Sequence, residues 1–134
     1  MATKTLIDHF AFYVKDIKKS RAFYEPLLTL LGAEPKFDYE EQGYVGYVRP
    51  GYANQFGIAH DSTKPVGMNH VAFTADNKDL VQKFYNLALS LGGQDNGKPG
   101  IREHYAPDYY AAFVIDPDGN NVEIKTFHTT GSSV

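Results

Sequence analysis

Apolar and polar residues alternate from Ile7 to Val14, which predicts a β-strand with one buried face. Large apolar side chains fall on one face of this strand, and His9 falls on the opposite face. Asp16 follows as a candidate N-cap, and apolar residues then recur at helical spacing until Gly32. The pattern therefore predicts a strand that leads directly into a helix.

Three short strands are predicted after this helix, at Glu34–Tyr39, Tyr44–Arg49 and Gln55–His60. Clusters of turn-forming residues separate them. The first module, at about residues 5–61, therefore has the order β-α-β-β-β.

A polar connector precedes a second pass through the same kind of pattern. Met68–Ala75 predicts a strand, Asp76 or Asn77 caps the next helix, and that helix ends before Gly92. We place this second module at about residues 67–128, within a single domain that spans residues 1–134.

The second module ends in a predicted hairpin, with strands at Tyr109–Asp116 and Asn121–Phe127. Pro117-Asp118-Gly119 between them is a turn sequence with a glycine suited to positive φ. The stretch from Gln94 to Asp108 contains four glycine or proline residues, so we expect it to be irregular.

The two modules match each other as an internal repeat. His9 aligns with His70 at an offset that also superimposes the two predicted helices. The last strands align so that Gly57 is the counterpart of Glu123. We therefore predict an α+β fold in which two paired β-α-β-β-β modules form a curled mixed sheet around a central cleft.

Composition narrows the classes of function. The net charge of −3 gives no basic footprint for nucleic acid, and no apolar run is long enough to span a membrane. We expect a soluble cytoplasmic protein, since the first residues lack a signal-peptide pattern. The chain has no cysteine, so any metal would be held by His, Asp or Glu.

The repeat suggests a metal site between the modules. His9 and His70 lie on equivalent strands, and Glu123 lies on the face of its strand that points away from the helix. Two imidazoles and a carboxylate are a ligand set for Fe²⁺, Mn²⁺, Ni²⁺ or Zn²⁺. A metal-free pocket on the same scaffold is the alternative.

The sequence resembles the vicinal oxygen chelate superfamily, which includes glyoxalase I, fosfomycin- and bleomycin-resistance proteins and extradiol dioxygenases. The paired modules, Arg21–Tyr24 and Asp116–Glu123 carry the resemblance. The stretch Gly97–Tyr110 resembles a glyoxalase-like subgroup of bacterial and fungal proteins without an assigned reaction. The resemblance implies that the metal ligands of the first, fifth and last strands fall on His9, His70 and Glu123.

The acidic residue that transfers protons in glyoxalase I falls on Gly57, so glyoxalase I activity is not expected. The resemblance favours a metal-dependent lyase, dioxygenase or transferase that acts on a small oxygenated substrate. The alternatives are a metal-free protein that sequesters a small molecule, as bleomycin-resistance proteins do, and an inactive scaffold. His104 and Tyr109 are the candidate catalytic residues because they would border the metal. By analogy, we expect a homodimer.

Overall fold

The structure is a computed structural model that describes residues 5–127 of the chain. The expected end of the second module, residue 128, lies outside the described residues. The elements in chain order are β1 (His9–Tyr13), α1 (Ile17–Leu30), β2 (Glu34–Tyr39), a short 3-10 helix (Glu40–Gln42), β3 (Tyr44–Val48), β4 (Gln55–Ala59), β5 (His70–Thr74), α2 (Lys78–Ser90), β6 (Gln94–Ile101), β7 (Tyr109–Ile115) and β8 (Asn121–Phe127). The predicted α+β class and the two β-α-β-β-β modules are confirmed.

The chain divides into two compact units between Gly67 and Met68. In the first unit the strand order is β1-β4-β3-β2, with β1 parallel to β4 and the other neighbours antiparallel. β1 and β2 are therefore the edge strands. The pairing of β2 with β3 shifts register between Glu34 and Phe37, whereas β1 pairs with β4 without a shift.

Helix α1 covers one face of this sheet. The Asp16 side chain accepts a hydrogen bond from the Lys19 backbone N–H at 3.1 Å, which caps the helix as predicted. Phe23, Tyr24 and Leu27 are fully buried on the inner side of the helix. Burial of these aromatic and aliphatic side chains stabilises the packing of α1 on the sheet.

An ion-pair network fastens α1 to the outer strand β2. The Arg21 guanidinium lies 2.7 Å from Glu25, 2.8 Å from Asp38 and 3.0 Å from Glu40. The Arg21 hydrogen bond lowers the pKa of Asp38. Lys18, which pairs with Glu40, and then Arg21 lower the pKa of Glu40.

The second unit repeats this layout with the strand order β5-β8-β7-β6, so β5 and β6 are its edge strands. Helix α2 is capped by Asn77, whose side chain accepts from the Leu80 N–H at 2.9 Å. Val81, Phe84 and Ala88 form its fully buried face. Of the helices within residues 5–127, none is long and apolar enough to cross a membrane.

The expectation that Gln94 to Asp108 is irregular is wrong for Gln94–Ile101, which forms strand β6, and confirmed for residues 102–108, which form turns. Its pairing with β7 shifts register on both sides of Gly97, which has a φ of +151°. Pro99 is accommodated because β6 is an edge strand that needs hydrogen bonds on one side. These bulges break the alternation by which a strand is recognised in sequence.

Strand register confirms that Gly57 and Glu123 are equivalent. In the first unit Ala11 of β1 lies opposite Gly57, and in the second unit Ala72 of β5 lies opposite Glu123. The repeat therefore holds residue by residue in the strand pairs β1–β4 and β5–β8, which carry the candidate ligands.

The turn between β7 and β8 is built on a buried hydrogen-bond network. The Asp116 carboxylate accepts from the Asn120 N–H at 2.8 Å and from its side-chain amide at 2.9 Å. The Asn120 side-chain oxygen accepts in turn from the backbone N–H of Asn69 at 3.1 Å. This network ties the turn to the residue that precedes His70 on β5.

Candidate functional site

His70 and Glu123 form a close pair on neighbouring strands of the second unit. His70 is the first residue of β5, and Glu123 is the third residue of β8. His70 Nε2 lies 3.1 Å from Glu123 Oε1. The Glu123 side chain is 5% exposed, whereas the His70 side chain is 50% exposed. The pair is therefore anchored in the sheet on the glutamate side and open to a ligand on the histidine side.

The backbone fixes the orientation of the His70 ring. Its Nδ1 lies 3.0 Å from the carbonyl oxygen of Asn121, so Nδ1–H is the donor of this hydrogen bond. In the neutral imidazole the lone pair then belongs to Nε2, the atom that faces Glu123. The ring also stacks on Phe113, with centroids 6.5 Å apart and planes inclined by 22°.

The second oxygen of Glu123 is held by Tyr109. The Tyr109 hydroxyl donates to Glu123 Oε2 at 2.5 Å. Burial, and then this hydrogen bond to a carboxylate, raise the pKa of Tyr109 above its usual value. The phenol therefore keeps its proton at neutral pH and leaves Oε1 as the carboxylate oxygen beside His70.

Lys125 is a neighbour of this pair that the sequence analysis missed. Its ammonium lies 3.5 Å from the centroid of the Phe127 ring and 4.7 Å from that of Tyr109. Burial lowers the pKa of Lys125. Its position two residues after Glu123, on the same face of β8, is the sequence signal that could have identified it.

The donor set of this pair fits a divalent metal ion. An imidazole nitrogen and a carboxylate oxygen face each other, and each group is oriented by a hydrogen bond made through its other atom. Such outer contacts are typical of metal-binding His and Glu residues. His70 Nε2 and Glu123 Oε1 both direct electron density towards the space between them, so a cation placed there would be attracted to both atoms.

His9, the predicted third ligand, belongs to the first unit. Its ring Nδ1 lies 2.8 Å from Asp8 Oδ1, and its side chain is 61% exposed. Within residues 5–127, no group of three or more His, Asp and Glu side chains is placed to hold a metal ion. The three-ligand set of His9, His70 and Glu123 therefore stays a prediction.

His104, the second candidate catalytic residue, lies on the turn between β6 and β7. Its ring contacts that of Tyr105, with centroids 4.2 Å apart, and the Tyr105 ring lies 5.0 Å from that of Tyr109. The Tyr105 ring thus connects His104 to Tyr109, the residue that binds Glu123. The structure joins Tyr109 to the His70–Glu123 pair directly and His104 through this aromatic contact.

The first unit carries an open pocket of about 440 Å³ that contains His9. The other lining residues are Phe10, Ala11, Tyr13, Tyr44 and Ala59. The Tyr44 hydroxyl donates to the Gln55 side-chain oxygen at 2.9 Å. Burial raises the pKa of Tyr44. The pocket therefore offers an imidazole and a protonated phenol.

Comparison with known proteins identifies the family. A family model described as Glyoxalase/Bleomycin resistance protein/Dioxygenase superfamily matches residues 6–124. The chain belongs to this superfamily. The family model thereby confirms the resemblance to the vicinal oxygen chelate proteins that was inferred from the sequence. A separate comparison with curated proteins found no match.

Solved structures of the glyoxalase/bleomycin resistance superfamily share the fold. A glyoxalase/bleomycin resistance protein from Albidiferax ferrireducens is 26% identical, with a TM-score of 0.79 over 91% of this chain and 99% of that one. A family enzyme from Burkholderia phytofirmans is 18% identical, with a TM-score of 0.68 over 90% and 97%. Lactoylglutathione lyase from Agrobacterium tumefaciens is 22% identical, with a TM-score of 0.66 over 92% and 94%. The superfamily thus contains enzymes on this scaffold, and the chemistry of this member depends on its own side chains.

Proposed function

We propose that this superfamily member is a divalent-metal-dependent enzyme that acts on a small oxygenated substrate, with His9, His70 and Glu123 as metal ligands. The observation that carries the proposal is the His70–Glu123 pair, whose ligand atoms lie 3.1 Å apart. Fe²⁺, Mn²⁺, Ni²⁺ and Zn²⁺ all accept this combination of nitrogen and oxygen ligands.

A bound ion would supply Lewis-acid chemistry, binding adjacent oxygens of a substrate and stabilising negative charge that develops on them. The chain's own groups prepare this site. The Asn121 carbonyl holds His70 in the tautomer that presents Nε2, and Tyr109 neutralises part of the charge on Glu123 through Oε2. We assign Tyr109 a positioning role, and His104 a role in proton transfer near the turn that leads into β7.

Glyoxalase I activity is not part of the proposal. That reaction moves a proton between adjacent carbons and needs a base, and this chain has Gly57 at the position equivalent to Glu123. The likeness to lactoylglutathione lyase concerns the fold. A transferase or a dioxygenase that uses two histidines and one carboxylate agrees better with these residues.

We further propose that the protein works as a cytoplasmic homodimer. Leu6 and Ile7 before β1, and Met68 before β5, expose their apolar side chains to solvent. Exposed apolar residues beside edge strands are typical of surfaces that a second copy covers. Sedimentation equilibrium tests this assembly, and a monomer at all concentrations would contradict it.

Metal content is the experiment that tests the proposed function. The protein is loaded separately with each of the four ions, dialysed and analysed by elemental mass spectrometry. We expect about one ion per chain for at least one metal, and a large loss in His9→Gln, His70→Gln and Glu123→Gln. His60→Gln is the matched control. The His60 ring contacts the Val14 carbonyl oxygen at 3.0 Å and is not a proposed ligand, so this variant should retain as much metal as the wild-type protein.

Two results would contradict the enzyme proposal: no retained metal in the wild-type protein, or full retention in Glu123→Gln. The first result would favour the metal-free sequestering protein. If metal is retained, the glutathione adduct of methylglyoxal is the next assay. We expect turnover near background, since no carboxylate lies at Gly57.

A further inference from the structure

Tyr44 lies across the place where the first unit lacks its carboxylate. A Cβ added at Gly57 would meet the Tyr44 hydroxyl and would lie 2.7 Å from two carbons of the ring. A Cβ added at Gly46, which pairs with Gly57 on the neighbouring strand, would meet the Gln55 side-chain oxygen first and would lie 3.0 Å from the Tyr44 ring. Two glycines on adjacent strands thus leave the space that the phenol and its hydrogen-bond partner Gln55 fill.

At the corresponding positions of the second unit, the large and the small side chain occupy opposite strands. Tyr44 lies opposite Ala59, two residues after Gly57, and Ala111 lies opposite Lys125, two residues after Glu123. The first unit therefore combines glycine on the last strand with tyrosine on its neighbour, and the second unit combines glutamate with alanine. At this pair of equivalent positions, each unit has one large polar side chain, and the two units supply it from different strands.

We propose that Tyr44 binds an oxygen of the substrate in the His9 pocket, at the place that a carboxylate would occupy if Gly57 were glutamate. The proposal rests on the proposed function in that His9 is taken to hold the metal. The pocket contains both His9 and Tyr44, so a ligand bound at His9 lies within reach of the phenol. Gln55 acts as a positioning residue, because its side-chain oxygen accepts from the Tyr44 hydroxyl.

A phenol in this place changes which substrates the site favours. A glutamate would act as a base towards a C–H group, whereas the Tyr44 oxygen, whose one proton is donated to Gln55, accepts a hydrogen bond from a substrate hydroxyl. Combined with the metal of the proposed function, which would bind adjacent oxygens, this contact favours substrates whose adjacent oxygens include a hydroxyl, such as a hydroxamate, a diol or a hydroxy ketone. The His9 pocket would therefore select substrates by their hydrogen bond to Tyr44.

The packing part of the proposal is tested by a double-mutant cycle on stability. We expect Gly57→Ala to lower the urea midpoint, because the new methyl group displaces the ring. We expect no such loss when Gly57→Ala is made in a Tyr44→Ala background. An equal loss in both backgrounds would overturn the assignment of Gly57 as the space for Tyr44.

The binding part is tested with acetohydroxamate, a small ligand with two adjacent oxygens. Calorimetric titration of the metal-loaded protein should show roughly three- to tenfold weaker binding for Tyr44→Phe than for the wild-type protein, as expected for one lost hydrogen bond. Tyr39→Phe, an exposed tyrosine on β2, is the matched control and should bind as the wild type does. Metal content should be the same in all three proteins. Equal affinity in Tyr44→Phe, or loss of metal from it, would overturn the proposal.

Failure of metal binding is distinguished from failure of the Tyr44 proposal by the metal-free protein. Acetohydroxamate is added to metal-free protein with ¹³C-labelled tyrosine, and the Tyr44 signal is assigned by its absence in Tyr44→Phe. A shift of the Tyr44 ring signal, with no shift of Tyr39, would support the proposal even if no metal is retained. An unchanged Tyr44 signal, or absence of binding in both forms, would overturn it.

Discussion

The Tyr109 hydroxyl donates a hydrogen bond to Glu123 Oε2 at 2.5 Å, while Glu123 Oε1 lies 3.1 Å from His70. The two oxygens of one carboxylate thus have separate tasks. Oε2 accepts the hydrogen bond from Tyr109 on the neighbouring strand, and Oε1 is the oxygen that faces His70.

Removal of the Tyr109 hydroxyl should weaken metal binding. In Tyr109→Phe the carboxylate loses the donor that fixes its orientation, and we expect roughly tenfold weaker affinity. Competition with a chromophoric chelator measures the change. Tyr110→Phe is the matched control, because the Tyr110 hydroxyl accepts a hydrogen bond from Gln82 instead. Unchanged affinity in Tyr109→Phe would contradict the positioning role.

Removal of the Lys125 charge should strengthen metal binding. The ammonium lies against the Tyr109 and Phe127 rings, close to a site that we propose to hold a cation. Lys125→Met keeps an apolar stem on the rings and removes the repulsion, so we expect roughly threefold tighter binding at low salt. The gain should shrink as salt is added. Weaker binding at low salt would show that Lys125 supports the ligands instead.

Truncation of Asn120 should destabilise the protein. Asn120 is fully buried, and its side chain joins Asp116 to the Asn69 backbone. We expect Asn120→Ala to lower the free energy of unfolding by roughly 2 kcal/mol, because buried partners lose their hydrogen bonds. Urea unfolding measures this loss. Asn54 precedes β4 as Asn120 precedes β8, but it is exposed, so Asn54→Ala should cost no more than about 0.5 kcal/mol.

Acid should weaken the contact between α1 and β2. The folded-state pKa values of Asp38 and Glu40 lie below their ordinary values of 3.8 and 4.5. The stabilisation is therefore complete at pH values above these ordinary values, and it is lost as the pH falls through the lowered folded-state values.

The Arg21→Met variant tests this contribution. Its deficit in unfolding free energy relative to the wild-type protein should be present at neutral pH and should shrink at about pH 2. Lys83→Met, which removes an exposed pair with Asp79, is the control and should show little deficit at either pH. A deficit in Arg21→Met that does not change with pH would contradict the assignment.

Much of the fold could be predicted from the sequence because its strands alternate and its helices carry capping residues. The expected strands Glu34–Tyr39 and Asn121–Phe127 agree with the structure at both ends. Strand β6 was missed because its bulges at Gly97 and its proline break the alternation. Alternation of apolar and polar residues identifies a strand only where that strand pairs regularly with its neighbour.

The candidate site could be predicted in part. Repeat alignment identified His70 and Glu123, and the structure places their side chains in contact. It could not reveal Lys125 stacked on two rings or Tyr44 lying over Gly57, because these contacts depend on side-chain direction across strands. A glycine in the sequence shows that a side chain is missing and does not show which neighbour fills the space.

The register shifts and prolines described above fall on only two of the four sheet edges within residues 5–127. β2 carries Pro35 and Lys36, and β6 carries Lys98 and Pro99, in each case beside a shift in pairing. Proline, lysine and bulges prevent another strand from being added to an edge. β1 and β5, which carry His9 and His70, have none of these features. β1 and β5 are therefore the two edges that these features leave open to another strand.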